Sequence, residues 1–325
     1  MIDDQIALIK DTVIQARKKL ANGQIYQSLN GQLENLVGSL SKRSKTIVKP
    51  VDGGDSALAL MQKTSEKFIQ VKKVLLTDDQ LFEILRQLAS INPAYRDRGA
   101  FYFLSDLISN KALSPEQMRW IANYLVADER LFGHILEPLN DGVFQRSFSL
   151  LILGQLLSAD IQQNFIDTQL RDRIINQVAA YALLEQDGRG FVGEKGWAHA
   201  FTHLGNVCSN LCSSPKVRRA DKILLLATLL VGYHNAPVPF VAGEDARIAA
   251  YLAEITNLNE IYEDYFLRVL KFWHQGLTAQ MAVTTEAGWN KIYNRNRLLQ
   301  QLLLQKDAFP GSIVDYIEST RDYLN

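Results

Sequence analysis

The sequence has no excess charge of either sign: 35 lysines and arginines stand against 35 aspartates and glutamates in 325 residues. That balance removes the long-range electrostatic footprint of a protein that binds nucleic acid or an anionic membrane, so neither partner is expected. Cysteine is nearly missing. The two present, Cys208 and Cys212, are too few for a disulfide framework, and at one-turn helical spacing a bridge between them would brace nothing. They also lack the second cysteine pair of a zinc site, which leaves them as small apolar helix residues. Long apolar runs are absent as well: Ile223 to Gly232 falls well short of the roughly 20 residues that span a bilayer. Met1-Ile2-Asp3-Asp4 carries no basic segment followed by an apolar run, so no secretory signal is read there and a reduced, cytoplasmic protein is expected.

What is present is helical patterning. Leu81, Ile84, Leu85 and Leu88 form one apolar stripe and Ile223, Leu226, Ala227 and Leu230 another, at the three- and four-residue spacing of a helix rather than the alternation of a strand. Thr77-Asp78-Asp79-Gln80 and Ser114-Pro115-Glu116-Gln117 are capping boxes, the second with proline at the first helical position. Ser214-Pro215 reads as a further helix entry. Most of the eight prolines fall between these segments, where they punctuate helices without breaking them.

The helices recur. Arg98, Arg146, His199 and Arg247 each precede an apolar run, at separations of 48, 53 and 48 residues. This spacing predicts an all-α chain built as an α-α superhelix of HEAT- or armadillo-like helix pairs, with equivalent helix starts on one concave face. Residues 1–40 read as an N-terminal helical pair, 41–55 as a basic linker and 56–325 as the helical repeat domain. The linker has lysines but no aromatic residue for a base to stack on, which favours a solvated, flexible segment.

The most informative stretch is 187–203, where Gly188, Gly190, Gly193 and Gly196 precede His199 and His203. The glycines predict a shaped loop, and the four-residue spacing places both histidines on one helical face. Gly188-Arg189-Gly190-Phe191-Val192-Gly193 matches the letters of a dinucleotide fingerprint, but residues 174–185 ahead of it read as a helix where that motif needs a strand. Ala200 stands where a helical zincin has its catalytic glutamate, and no serine or cysteine here sits in a nucleophile elbow. No metal and no cofactor is expected.

Three readings follow. In the first, Arg146, Arg189, Lys195, Trp197, His199, His203, Glu244 and Asp245 line a concave face that binds a small anionic molecule or an acidic peptide. In the second, His199 and His203 work with Asp245 as a hydrolase or other enzyme, with or without metal. In the third, these residues stitch neighbouring repeats together.

Arg189-Gly190-Phe191-Val192, Lys195-Gly196-Trp197-Ala198-His199 and His203 resemble the signature of an uncharacterised bacterial family, domain of unknown function 2785. The resemblance extends to Tyr95-Arg96-Asp97-Arg98, Leu113–Gln117, Asp141–Ser149 and Phe240–Arg247, and covers about residues 78–320. It implies a helical repeat-like fold with a shared pocket, and no activity. The chain departs from the family pattern after the second histidine, where Leu204-Gly205-Asn206 stands in place of Gly-Ala-Asp. The missing aspartate argues against metal-dependent chemistry.

Overall fold

The computed structural model describes residues 3–71, 76–276 and 283–320; Met1 and Ile2 of the N-terminal stretch lie outside them. In chain order the helices are α1 (Asp4–Ala21), α2 (Leu29–Gly38), α3 (Gly54–Val71), α4 (Asp78–Arg86), α5 (Pro93–Tyr95), α6 (Tyr102–Ser109), α7 (Pro115–Leu125) and α8 (Asp128–Leu131). They continue with α9 (Gly142–Gln163), α10 (Thr168–Leu184), α11 (Ala200–Ser213), α12 (Arg219–Asn235), α13 (Glu244–Leu258), α14 (Glu260–Gln275), α15 (Glu286–Leu304) and α16 (Gly311–Ser319). The chain is all-α. Among the described residues the only strand-like pairing is one isolated antiparallel bridge, between Phe191 and Trp197.

Local chemistry sets the helix starts. Both expected capping boxes form: the Thr77 hydroxyl accepts from the Gln80 backbone while the Gln80 side chain accepts from the Thr77 backbone, and Ser114 with Gln117 does the same ahead of Pro115. Ser214-Pro215 is a correction. It opens a turn, closed by the Val217 amide donating to the Ser214 carbonyl, and α12 begins only at Arg219.

Two compact units divide the chain. The first comprises Met1–Leu40, Val178–Arg189 and Cys208–Asn325; the second comprises Ser41–Gln177 and Gly190–Val207.

In the first unit α12 is buried on all sides, from Ile223 through Tyr233, and packs against α1, α2, α14 and α15. Such a helix shows no polar face because every side has a neighbour. Gly232 is required by close approach: a Cβ there would lie 1.8 Å from the Ala182 carbonyl oxygen. Cys208 and Cys212 are free and buried, and burial raises both thiols, Cys212 to about 12.

In the second unit α9 is the counterpart, with every residue from Gly142 to Leu150 buried, surrounded by α6, α7 and α8. Residues 40–53 carry no helix. The basic segment is nonetheless anchored: the Arg43 amide donates to the Leu136 carbonyl, and Thr46 donates to Glu137 through its amide and its hydroxyl, each at 2.8 Å.

Candidate functional site

Residues 190–199 of the second unit form a narrow loop whose two arms are tied by backbone bonds, Val192 amide to Gly196 carbonyl at 2.8 Å and Ala198 amide to Gly190 carbonyl at 2.7 Å. A single 3-10 turn, Gly193–Lys195, makes the tip. Gly196 sits at φ +77, and a Cβ there would stand 3.2 Å from Arg96 Nη2, so only glycine satisfies both the backbone and the neighbour.

Three polar contacts hold this loop against the unit. Arg96, wholly buried, lies in a π-helical turn, Arg96–Phe101, between α5 and α6. It donates to the Ser90 carbonyl at 2.8 Å and the Lys195 carbonyl at 2.6 Å, and pairs with Asp97 at 3.0 Å. Its guanidinium lies 4.1 Å from the Phe144 ring and 4.8 Å from the Phe148 ring, both on α9, a cation-π arrangement; burial lowers its pKa and the Asp97 carboxylate partly offsets that. Lys195 then pairs with both oxygens of Asp141 at the start of α9, at 2.8 and 2.7 Å. Finally, the buried Ser147 hydroxyl donates to the Ala198 carbonyl.

That last bond fixes a tautomer. Because the single Ser147 proton is committed to Ala198, the Nδ1–H of His203 is the donor in its 2.7 Å contact with Ser147 Oγ and its 3.1 Å contact with the Ser147 carbonyl. Burial drives the pKa of His203 down to about 3, assisted by repulsion from His199. His203 is a neutral, fixed ring at physiological pH.

His199 differs from its expected setting. It precedes α11 rather than lying inside it, at φ +56, and its carbonyl accepts the His203 amide at 3.0 Å. The two imidazoles do adjoin, with ring centroids 6.1 Å apart. Trp197 lies flat on His199, centroids 4.4 Å apart and planes within 5°, and Phe191 meets Trp197 edge-on at 5.0 Å. Phe148 abuts His203 from the other side at 5.9 Å. The result is a continuous aromatic ladder from a buried helix to solvent, where Phe191 is 62% and Trp197 46% exposed. Beside the loop tip a cleft of about 680 Å³ is lined by residues 91–93 and 192–195; neither histidine lines it.

The other expected site residues are placed as follows. Arg146 is buried on α9 and donates to the Gly133 carbonyl at 2.9 Å, while Arg98, its proposed equivalent, is exposed in the π-helical turn. Arg189, Glu244 and Asp245 belong to the first unit. Arg189 pairs with Asp187 at 2.6 Å, buried Glu244 accepts the Ala242 amide at 2.8 Å, and Asp245 is half-buried in the first turn of α13. Asn206 is half-buried on α11. Among the described residues no group of three or more histidines, cysteines, aspartates and glutamates is placed to hold a metal ion.

Arg96, Asp141, Ser147 and Phe191 were not read as site residues. All four lie in the segments that carry the family resemblance, which was the one signal available in the sequence.

No curated protein and no solved structure matches the chain. Residues 131–304, more than half of the chain and including the whole aromatic ladder from Phe148 to Trp197, match the family described as "Protein of unknown function (DUF2785)", and the chain belongs to that family.

Proposed function

We propose that the protein is a binding module whose contact surface is the 190–199 loop, and that it takes an acidic peptide carrying an apolar side chain. One observation carries this reading: a buried arginine, an ion pair and a buried serine hold in place a loop that leaves Phe191 and Trp197 in water. Leaving these rings part-exposed forgoes a share of the roughly 1.5–3 kcal/mol that full burial of each would supply, and rigid exposed aromatics are the usual anchors of interfaces. The apolar side chain of the peptide lies on the Phe191–Trp197 corner. Its carboxylate shares Lys195 with Asp141, since the lysine side chain is still 39% exposed within that pair.

Of the two occupants suggested by the sequence, the peptide is preferred over a small anion because only the peptide also covers the exposed Phe191–Trp197 corner, while Arg189 and Arg146 already have acceptors within the chain. The hydrolase reading asks His203 to exchange protons near neutrality, and a pKa near 3 works against it.

Two finer expectations belong with this reading: the helix pairs recur at near-48-residue spacing as HEAT-like repeats of an α-α superhelix, and the protein works in the cytoplasm. Small-angle scattering tests the first, an extended curved profile supporting it and a spherical one opposing it. Among the described residues no helix is long and apolar enough to cross a membrane, which is compatible with the second.

The binding proposal is tested by tryptophan fluorescence of the full chain titrated with acidic peptides bearing leucine, phenylalanine or no apolar residue. Saturable change with the apolar-acidic peptides, lost in Trp197→Phe, supports it. No change with any of them, or equal change with a simple dicarboxylate, removes the peptide reading.

A further inference from the structure

The first unit contains a second polar cluster, independent of the 190–199 loop and centred on Glu34 of α2. His234 of α12 contacts Glu34 Oε1 through Nδ1 at 3.1 Å, and the Asn235 side chain donates to Glu34 Oε2 at 2.5 Å. Lys291 of α15 donates to Asn235 Oδ1 at 3.3 Å. Trp273 of α14 stacks on the His234 ring at 5.0 Å. These contacts make a half-buried cluster with one carboxylate, one ammonium and one imidazole, the His234 side chain 22% and that of Glu34 15% exposed.

Next to that cluster are buried polar atoms with no hydrogen-bond partner: both side-chain atoms of Asn30, the Tyr265 hydroxyl and the Trp273 indole N–H. Asn30 is 8%, Tyr265 2% and Trp273 3% exposed. Asn30 is one helical turn from Glu34 and so shares its face. Tyr265 is coupled electrostatically to Glu34, as is Lys291. Leaving a buried donor or acceptor unmade is costly, and several in one cluster call for a guest that supplies the missing bonds.

The guest's chemistry follows from the inventory. Glu34 suits an ammonium and Lys291 a carboxylate, so the two charges together match a zwitterion, whereas a simple anion meets Glu34 and a simple cation meets Lys291. The unused Asn30 amide offers one donor and one acceptor on a single plane, which pairs with a group presenting the same two. We infer that the cluster of Glu34, His234 and Lys291, backed by Asn30, Tyr265 and Trp273, is a binding site for a free α-amino acid with a polar, amide-like side chain.

The experiment is nitrogen-proton NMR of the full chain with each standard amino acid at millimolar concentration. The four tryptophans give four indole signals, and Trp273→Phe identifies the relevant one. The expected result is a saturable downfield shift of the Trp273 indole proton, with movement of the His234 ring, for glutamine or asparagine. Lys291→Met weakens this at least tenfold, and Asn30→Leu removes the preference for the amide side chain. If no amino acid moves either signal, the unpartnered atoms hold only internal water and the inference is wrong. It is also wrong if acetate or methylamine alone reproduces the shifts, because then a single charge is being read. The wild-type measurement decides the matter even if a variant fails to fold.

Discussion

His203 illustrates how burial decides what a residue can do. Its ordinary pKa is 6.5 and burial takes it to about 3, so between those values the unfolded chain binds more protons than the folded one. Stability from this group is therefore fully present above about pH 6.5 and is lost as pH falls, by at most about 1.4 kcal/mol per pH unit. Urea unfolding between pH 4.5 and 7.5 should show this slope, and His203→Gln should reduce it. An unchanged slope in the variant would move the acid sensitivity to other groups. Arg96 makes a second test: Arg96→Met leaves two backbone carbonyls and Asp97 without their donor and should cost about 3–5 kcal/mol. Gly196→Ala, at φ +77 and 3.2 Å from that guanidinium, should cost about 1–2 kcal/mol, measured in the same way. The spacing of His199 and His203 was legible in the sequence because it is local. That His203 spends its Nδ1 proton on Ser147, 56 residues away, was not, because no periodicity reports a tertiary partner.

At the scale of elements, what could be read and what could not divide along the same line. The capping boxes of α4 and α7 formed as expected since their bonds span three residues, and Ser114→Ala should lower stability by about 1 kcal/mol in thermal or urea unfolding. The π-helical turn at Arg96–Phe101 carries no comparable local signature, so the sequence marks Arg98 as a repeat position and gives no sign that Arg96 is the buried arginine. Ser214-Pro215 misled for a related reason: a serine followed by proline starts a turn as readily as a helix, and here the Lys216 amide donates to the Ser214 hydroxyl within that turn. The loop itself offers a direct check. Ser147→Ala frees the Ala198 carbonyl and leaves His203 Nδ1–H only the residue-147 carbonyl as acceptor, and hydrogen exchange should speed up at Ala198 and Val192 while α7 stays protected. Uniformly faster exchange would mean that Ser147 supports the whole unit rather than the loop.

For the whole molecule, the all-α class was readable because the apolar spacing persists from helix to helix. The division into two units was not, since each is assembled from segments distant in sequence, with Val178–Arg189 and Gly190–Val207 assigned to different units though adjacent in the chain. The two cysteines report on the integrity of the first unit: with both thiols buried and their pKa raised, neither should react with a thiol reagent until the protein unfolds. The central claim, that the 190–199 loop is built to present aromatics to a partner, is tested most directly by the double variant Phe191→Ala, Trp197→Ala. Its unfolding free energy and its affinity for the acidic peptides are measured beside those of the wild type. The account predicts a stability loss of no more than about 2 kcal/mol, because Phe191 is mostly solvated and Trp197 is 46% exposed, together with at least a tenfold loss of binding. A large loss of stability with peptide binding unchanged would contradict it and assign the rings to the fold.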